Sequence, residues 1–190
     1  MGESTSFYGQ SGGQIGDTGT IKTKTAEVDI FDTHRVDQVH VHLGKVIKGI
    51  VKQNEKATAE IDIKRRKDIV ANHSATHILQ AVLRNVLGEH VRQSGSWVGP
   101  DKLRFDFTHF KEVSKEQLSR IEDLVNVRVL ENSGLTVKEM DQQEAIDSGA
   151  MALFGEKYKQ KVRVVSIGDF SSELCGGTHL NNTAQIGLFK

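Results

Sequence analysis

Two short stretches, far apart in the chain, carry the side chains best suited to chemistry: Asn72-His73-Ser74-Ala75-Thr76-His77 and Glu173-Leu174-Cys175-Gly176-Gly177-Thr178-His179. Each holds two metal-binding residue types with three residues between them. Together they offer three imidazoles and one thiolate, a set that suits zinc. On a helix, His73 and His77 at i, i+4 project from successive turns of one face and can share one ion. A metalloprotease helix has Glu directly after its first His; Ser74 stands there instead, so no general base comes with this pair. Gly176 and Gly177 relax the backbone between Cys175 and His179, so that a loop can aim both side chains at one point.

The elements that must position these residues can be read from periodicity. Ala75, Ile78, Leu79, Val82, Leu83 and Val86 recur at helical spacing and predict a helix over 70–88, stopped at Gly88. At about 100° per residue, His73 and His77 fall opposite the centre of that apolar stripe, beside Gln80 and Arg84. Residues 1–68 alternate in short runs, Val28-Asp29-Ile30, Val39 to Leu43 and Ala59 to Ile63, and predict a small antiparallel barrel-like or curled sheet. His40 and His42 lie on the polar side of one such strand and read as exposed. His90–Val98 and Leu103–Phe107 form a hairpin about Gly99-Pro100-Asp101-Lys102. Ser114 with Gln117 is a capping box for a helix to about 132, burying Leu118, Ile121, Leu124 and Val125. Asp141 and Glu144 open a short helix to about Gly149. Residues 155–159 read as a loop, 162–167 as a strand with the Cys175–His179 loop beyond it, and 186–189 as a further strand. The fold class is therefore α+β: a β unit over 1–68, then a core of helices on an antiparallel or mixed sheet over 69–190.

Composition narrows the function classes. The 25 basic and 25 acidic residues balance, so any nucleic-acid contact must be local. The compact run Lys64-Arg65-Arg66-Lys67, expected just before the histidine helix, is either a solvated linker or such a phosphate contact. No apolar run reaches membrane-spanning length and no signal-peptide pattern is present. A single cysteine excludes an intrachain disulfide framework and suits a reducing cytoplasm. Phe7-Tyr8-Gly9-Gln10-Ser11-Gly12-Gly13-Gln14-Ile15-Gly16-Asp17 has four glycines in eight positions and reads equally as a structural turn or a ligand-facing loop. Both ends fall abruptly in patterned sequence, which favours a piece of a longer protein.

Together these motifs resemble a family. The Gly-rich stretch, Asn72-His73-Ser74-Ala75-Thr76-His77-Ile78-Leu79, Val91-Arg92-Gln93-Ser94-Gly95-Ser96, Ala152-Leu153-Phe154-Gly155-Glu156-Lys157-Tyr158 and Cys175-Gly176-Gly177-Thr178-His179 are similar, in order, to the editing domain of bacterial alanyl-tRNA synthetase. A free-standing editing protein is a close second; the threonyl-tRNA synthetase editing domain, which lacks the opening Gly-rich segment, is more distant. The resemblance implies an aminoacyl-tRNA deacylase, a hydrolase of translation fidelity that removes serine or glycine from tRNA for alanine. It implies zinc (Zn2+) on His73, His77, Cys175 and His179, Gln93 in the pocket, and Gly12, Gly13 and Gln14 facing the tRNA acceptor end. The aminoacylation motifs are absent, so the chain is expected to correct mischarged tRNA and not to charge it. Arg65, Arg66 and Lys67 are the expected tRNA contacts.

A site that hydrogen-bonds the serine hydroxyl can reject alanine by up to ~10⁴–10⁵, whereas one sized for alanine cannot strongly exclude serine. Gln93, Ser94, Thr76 and Thr178 are candidate partners; glycine needs in addition tight exclusion of the alanine methyl. Four protein ligands make a closed zinc site of the structural kind. Three options follow: one ligand is displaced by substrate, the metal expands to five-coordinate to hold the substrate's amino group or carbonyl, or zinc only shapes the pocket and leaves water activation to Gln93, Glu173 or the tRNA's terminal hydroxyl. The second is preferred. The competing class is a non-catalytic, zinc-structured RNA-binding module.

Overall fold

A computed structural model describes residues 4–152 and 160–190. The expected loop over 155–159 and most of the motif at 152–158 lie outside the described residues.

The chain is α+β, as its patterning predicts. Four antiparallel strands open it: β1 (Gly19–Lys22), β2 (Ala26–Val36), β3 (Val39–Gly49) and β4 (Thr58–Ile61), in the spatial order β3-β2-β1-β4. The order does not close on itself, so the sheet is open and not a barrel. Position 68, where the sequence suggests a division of the chain, lies within the next element, α1 (Ile63–Leu87). This helix begins seven residues earlier than its apolar stripe implies, because Asp62 caps it by accepting from Arg65 N–H at 3.0 Å. The basic run thus occupies the first helical turn and does not precede it. Positive charge there opposes the helix dipole. Two of the four side chains are instead spent on tertiary anchoring: Arg65 Nη1 donates to Gly16 O at 2.8 Å, and Arg66 pairs with the buried Asp17 carboxylate. Tyr8 N–H donates to the same carboxylate at 2.6 Å.

After Gly88, whose N–H closes α1 onto Arg84 O, come β5 (Gln93–Val98) and β6 (Leu103–Phe107), the expected hairpin. The helix α2 (Lys115–Leu130) carries the expected capping box of Ser114 and Gln117. Its buried face is Ile121, Val125 and Val129; Leu118, expected inside, is 54% exposed. The strand β7 (Leu135–Asp141), the short helix α3 (Gln142–Asp147), β8 (Lys161–Ile167) and β9 (Ser171–Leu174) complete the core, with β7-β8-β9 as one antiparallel sheet.

The main core joins Ile78, Val82 and Leu83 of α1 to Ile121, Val125 and Val129 of α2, with Val91 and Ile167. A second cluster, Ala145, Ala150, Val162, Val164 and Leu174, packs α3 against the sheet. Ile167 of β8 feeds the first cluster and Val162 and Val164 the second, so both faces of this central strand carry buried apolar residues. The chain end departs from expectation. Thr183–Ile186 is a 3₁₀ turn and 186–189 is not a strand. Gly187, at φ +80°, breaks extended geometry, and the Asn126 side chain of α2 binds Phe189 N and O at 2.9 Å each.

Candidate metal centre

α1 and the segment after β9 bring the two histidine-bearing stretches together. One ligand atom each from His73, His77, Cys175 and His179 lies within 4.8 Å of the others. The His73 and His77 rings stack with centroids 5.3 Å apart, as successive turns of one helix face dictate. His179 comes to 4.5 Å of the first and 4.9 Å of the second. Both helical histidines are buried, at 5% and 6% exposure, although they lie opposite the apolar stripe of α1.

All three imidazoles are held the same way, with Nδ1 turned outward to a fixed partner and Nε2 free for the centre. His73 Nδ1 meets Gln14 Oε1 at 2.7 Å, His77 Nδ1 meets Glu173 Oε2 at 2.6 Å, and His179 Nδ1 meets Ser74 Oγ at 3.3 Å. Cys175 Sγ sits 3.4 Å from His73 Nε2 and 3.2 Å from His179 Nε2. His77 Nε2 is buried with no hydrogen-bond partner among the described residues. An orphaned buried nitrogen is costly, and a cation among the four ligand atoms would satisfy it. Outer partners on the far ring nitrogen are the usual companions of metal-bound histidine. The donor set thus fits a metal.

The electrostatics agree. Burial opposes ionisation of Cys175, but the imidazoles of His73, His179 and His77 outweigh it and hold the thiol well below its ordinary value. Burial alone would lower His77; the charges of Glu173 and Cys175 override it and push its pKa up to about 10. Burial, aided by His73 and His77, takes His179 down to about 4. The surrounding imidazoles therefore favour the thiolate form of Cys175.

The loop bearing Cys175 is pinned. Arg163 Nη1 donates to Cys175 O at 3.2 Å and to Gly177 O. A Cβ at Gly177 would overlap the His73 ring, so only glycine lets the loop lie this close.

A cavity of about 350 Å³ opens onto the centre, lined by Gly12, Thr76, Gln93 and Glu173 together with His73, His77 and Cys175. Several expected contacts lie elsewhere. Ser94 is exposed on β5 and Thr178 does not line the cavity; nor do Gly13, Gln14, Arg65, Arg66 or Lys67. Gly13 packs where a Cβ would overlap Ser96 Oγ, and the Gln14 amide sits behind His73. Glu173, on the cavity wall, is only 1% exposed; its Oε2 is engaged by His77 Nδ1 and its Oε1 accepts from Ser171 Oγ at 3.3 Å. Lining residues that sequence reasoning missed are Tyr8, Ser96, Arg35, Lys161 and Arg163. Tyr8 and Ser96 stand inside motifs already singled out; nothing in the local pattern marks the other three. Ser74, the orienting partner of His179, was noted only for not being Glu.

Residues 2–65 match the model of class II (A) tRNA synthetases, and residues 162–190 that of the threonyl and alanyl tRNA synthetase second additional domain. The second match contains all of β8 but its first residue, together with β9, Cys175 and His179. Alanine–tRNA ligase of Stenotrophomonas maltophilia is 51% identical over 187 residues, 98% of this chain and 21% of that protein. The corresponding ligase of Xanthomonas campestris is 49% identical over 98% of the chain and 21% of the protein. That of Shewanella loihica is 50% identical over 99% and 22%. The chain thus spans about a fifth of the length of the curated relatives it matches. Over nearly its whole length the chain is thus similar to a stretch making up about a fifth of alanine–tRNA ligases, and this likeness bears out the resemblance to the editing domain of alanyl-tRNA synthetase.

Proposed function

We propose that this chain is a cytoplasmic aminoacyl-tRNA deacylase, the hydrolytic part of an alanyl-tRNA synthetase, which removes serine or glycine from mischarged tRNA for alanine. The observation that carries it is one wall shared by two things: four converging ligand atoms and a cavity edged by Gln93. His73, His77, Cys175 and His179 would hold zinc, which when bound supplies Lewis acidity toward the substrate's amino group or ester carbonyl.

The remaining work falls to the chain's own groups. Gln93 Nε2 donates to Ser96 Oγ at 3.2 Å, which leaves Gln93 Oε1 to accept from a serine hydroxyl or an attacking water. The Thr76 hydroxyl donates to Asn72 O at 2.8 Å, so toward a ligand it offers only an acceptor. Ser94 and Thr178 drop out as hydroxyl partners. Glu173 Oε2 holds His77; Gln93, Glu173 and the tRNA's own terminal hydroxyl remain for activating water. An aminoacyl ester is already reactive, so positioning supplies much of the rate. Exposed Arg35 and Lys161 at the cavity suit terminal phosphates better than Arg65 and Arg66, whose guanidinium groups are committed to Gly16 and Asp17. Lys67 is exposed and remains a candidate backbone contact.

Incubation with seryl-tRNA and alanyl-tRNA, both on tRNA for alanine, tests this directly. Serine should be released faster than alanine, and Gln93→Ala should slow it without loss of metal. Equal release from both esters overturns the proposal. Salt-dependent RNA binding with no turnover, indifferent to Gln93→Ala, would instead identify the zinc-structured RNA-binding module that the closed four-ligand set also suits.

A further inference from the structure

Of the three outward partners at the metal centre, only Gln14 comes from the N-terminal Gly-rich segment. Its side chain is fully buried, at 0% exposure. Gln14 Oε1 accepts from Thr178 N–H at 2.9 Å and faces His73 Nδ1 at 2.7 Å, while Gln14 Nε2 donates to Thr178 Oγ1 at 2.9 Å. A backbone N–H can only donate, so the end of the amide that meets Thr178 N must be oxygen. The same oxygen meets His73 Nδ1, so that nitrogen carries the proton. His73 Nε2 is then left with its lone pair, and it is the atom aimed at Cys175 Sγ. One backbone N–H thereby fixes an amide orientation, and the amide fixes a tautomer.

The segment that carries Gln14 is tied down on the opposite side. Val98 N–H donates to Gly13 O at 2.8 Å and Ile15 N–H to Val98 O at 3.2 Å, so Gln14 forms an isolated parallel bridge with Val98 at the end of β5. Gln14 therefore joins three pieces of chain at one point: the Gly-rich segment, α1 through His73, and the Cys175–His179 loop through Thr178. A Cβ at Gly177 would lie 2.9 Å from Gln14 Oε1, which shows how little slack the junction has.

We propose that Gln14 is a positioning residue of the metal centre, which selects the Nδ1–H tautomer of His73 and couples docking of the Gly-rich segment to metal occupancy. The proposal rests on the metal reading above. Coupling of this kind is reciprocal: if the docked segment favours metal binding, the metal favours the docked segment to the same degree.

The test compares wild type, Gln14→Leu and Gln14→Glu with zinc and cobalt alone, without tRNA. Zinc affinity is read by competition with a chromophoric chelator, ligand geometry by the visible absorption of the cobalt form, and segment docking by hydrogen exchange at residues 7–17 with and without zinc. Gln14→Glu keeps an acceptor for both N–H groups and should stay near wild type. Gln14→Leu should lose roughly 10–100-fold in zinc affinity, shift the cobalt spectrum and abolish zinc-dependent protection of the segment. A folded Gln14→Leu protein with wild-type affinity and spectrum overturns the proposal. Should that variant fail to fold, wild-type protein whose 7–17 exchange ignores zinc overturns it equally. Wild type that binds no zinc at all removes the metal reading itself, an outcome distinct from either.

Discussion

Two histidine pairs in this chain have opposite fates. His40 and His42 stand two apart on β3, and His73 and His77 four apart on α1; either spacing can chelate. On β3, His40 is exposed, and His42 is half-buried, bonded to Thr5 Oγ1 at 2.9 Å and edge-on to Phe7. No third ligand joins them among the described residues. On α1, both rings are covered by β9 and the loop after it, which adds a thiolate and a third imidazole. Spacing therefore makes a pair capable of binding, and what packs over the pair decides whether it becomes a centre. The outer partners sharpen the contrast. Each imidazole of the α1 centre has its far nitrogen assigned to a fixed group, whereas the β3 pair has one hydroxyl between them.

The largest expected effect tests this difference outright. Cys175→Ala removes the softest ligand and should weaken zinc binding by more than about 100-fold, read by chelator competition. The double variant His40→Ala/His42→Ala should leave metal stoichiometry unchanged; metal lost there and kept in Cys175→Ala would reverse the comparison. Glu173→Gln is next. It keeps the shape but gives His77 Nδ1–H a weaker acceptor, and should cost about 10–100-fold in zinc affinity. Thr5→Val, the equivalent change beside His42, should cost none. A smaller effect is expected far from either pair. Ser114→Ala removes the α2 cap and should lower stability by about 1 kcal/mol in denaturant titration, with zinc affinity intact. The smallest concerns Tyr8 at the cavity wall. Burial, reinforced by the negative charge of Cys175, raises its pKa from 10.0 to about 12. The folded protein then keeps the phenolic proton where the unfolded chain loses it, so this contribution is complete below pH 10 and is lost as pH rises toward 12. Tyr8→Phe should flatten that part of the stability profile; an unchanged slope would mean that the wall is wet.

How much of this was legible in the sequence follows the same line. Local pattern gave the hairpin at 93–107, both caps of α2's start and the α1 face that carries the histidines. Helix phase placed His73 and His77 off the apolar stripe, yet could not reveal that they are buried, because their cover comes from residues about a hundred positions away. The strand β7 escaped notice: it is an edge strand, exposed along most of its length, and shows little alternation. The basic run was misplaced because an N-cap at Asp62 outweighs an unfavourable first-turn charge when Arg65 and Arg66 find acceptors outside the helix. Roles at the site divided similarly. Ligand types were readable from chemistry and spacing. Gln14, Ser74 and Glu173 meet the histidines through tertiary contacts that no local pattern encodes.

The central claim is that His73, His77, Cys175 and His179 form one metal centre. X-ray absorption at the zinc edge on metal-loaded protein tests it most directly. The account predicts one zinc per chain with a single sulfur at about 2.3 Å and nitrogen neighbours at about 2.0–2.1 Å. A shell without sulfur, or protein that retains no zinc after dialysis, would contradict it.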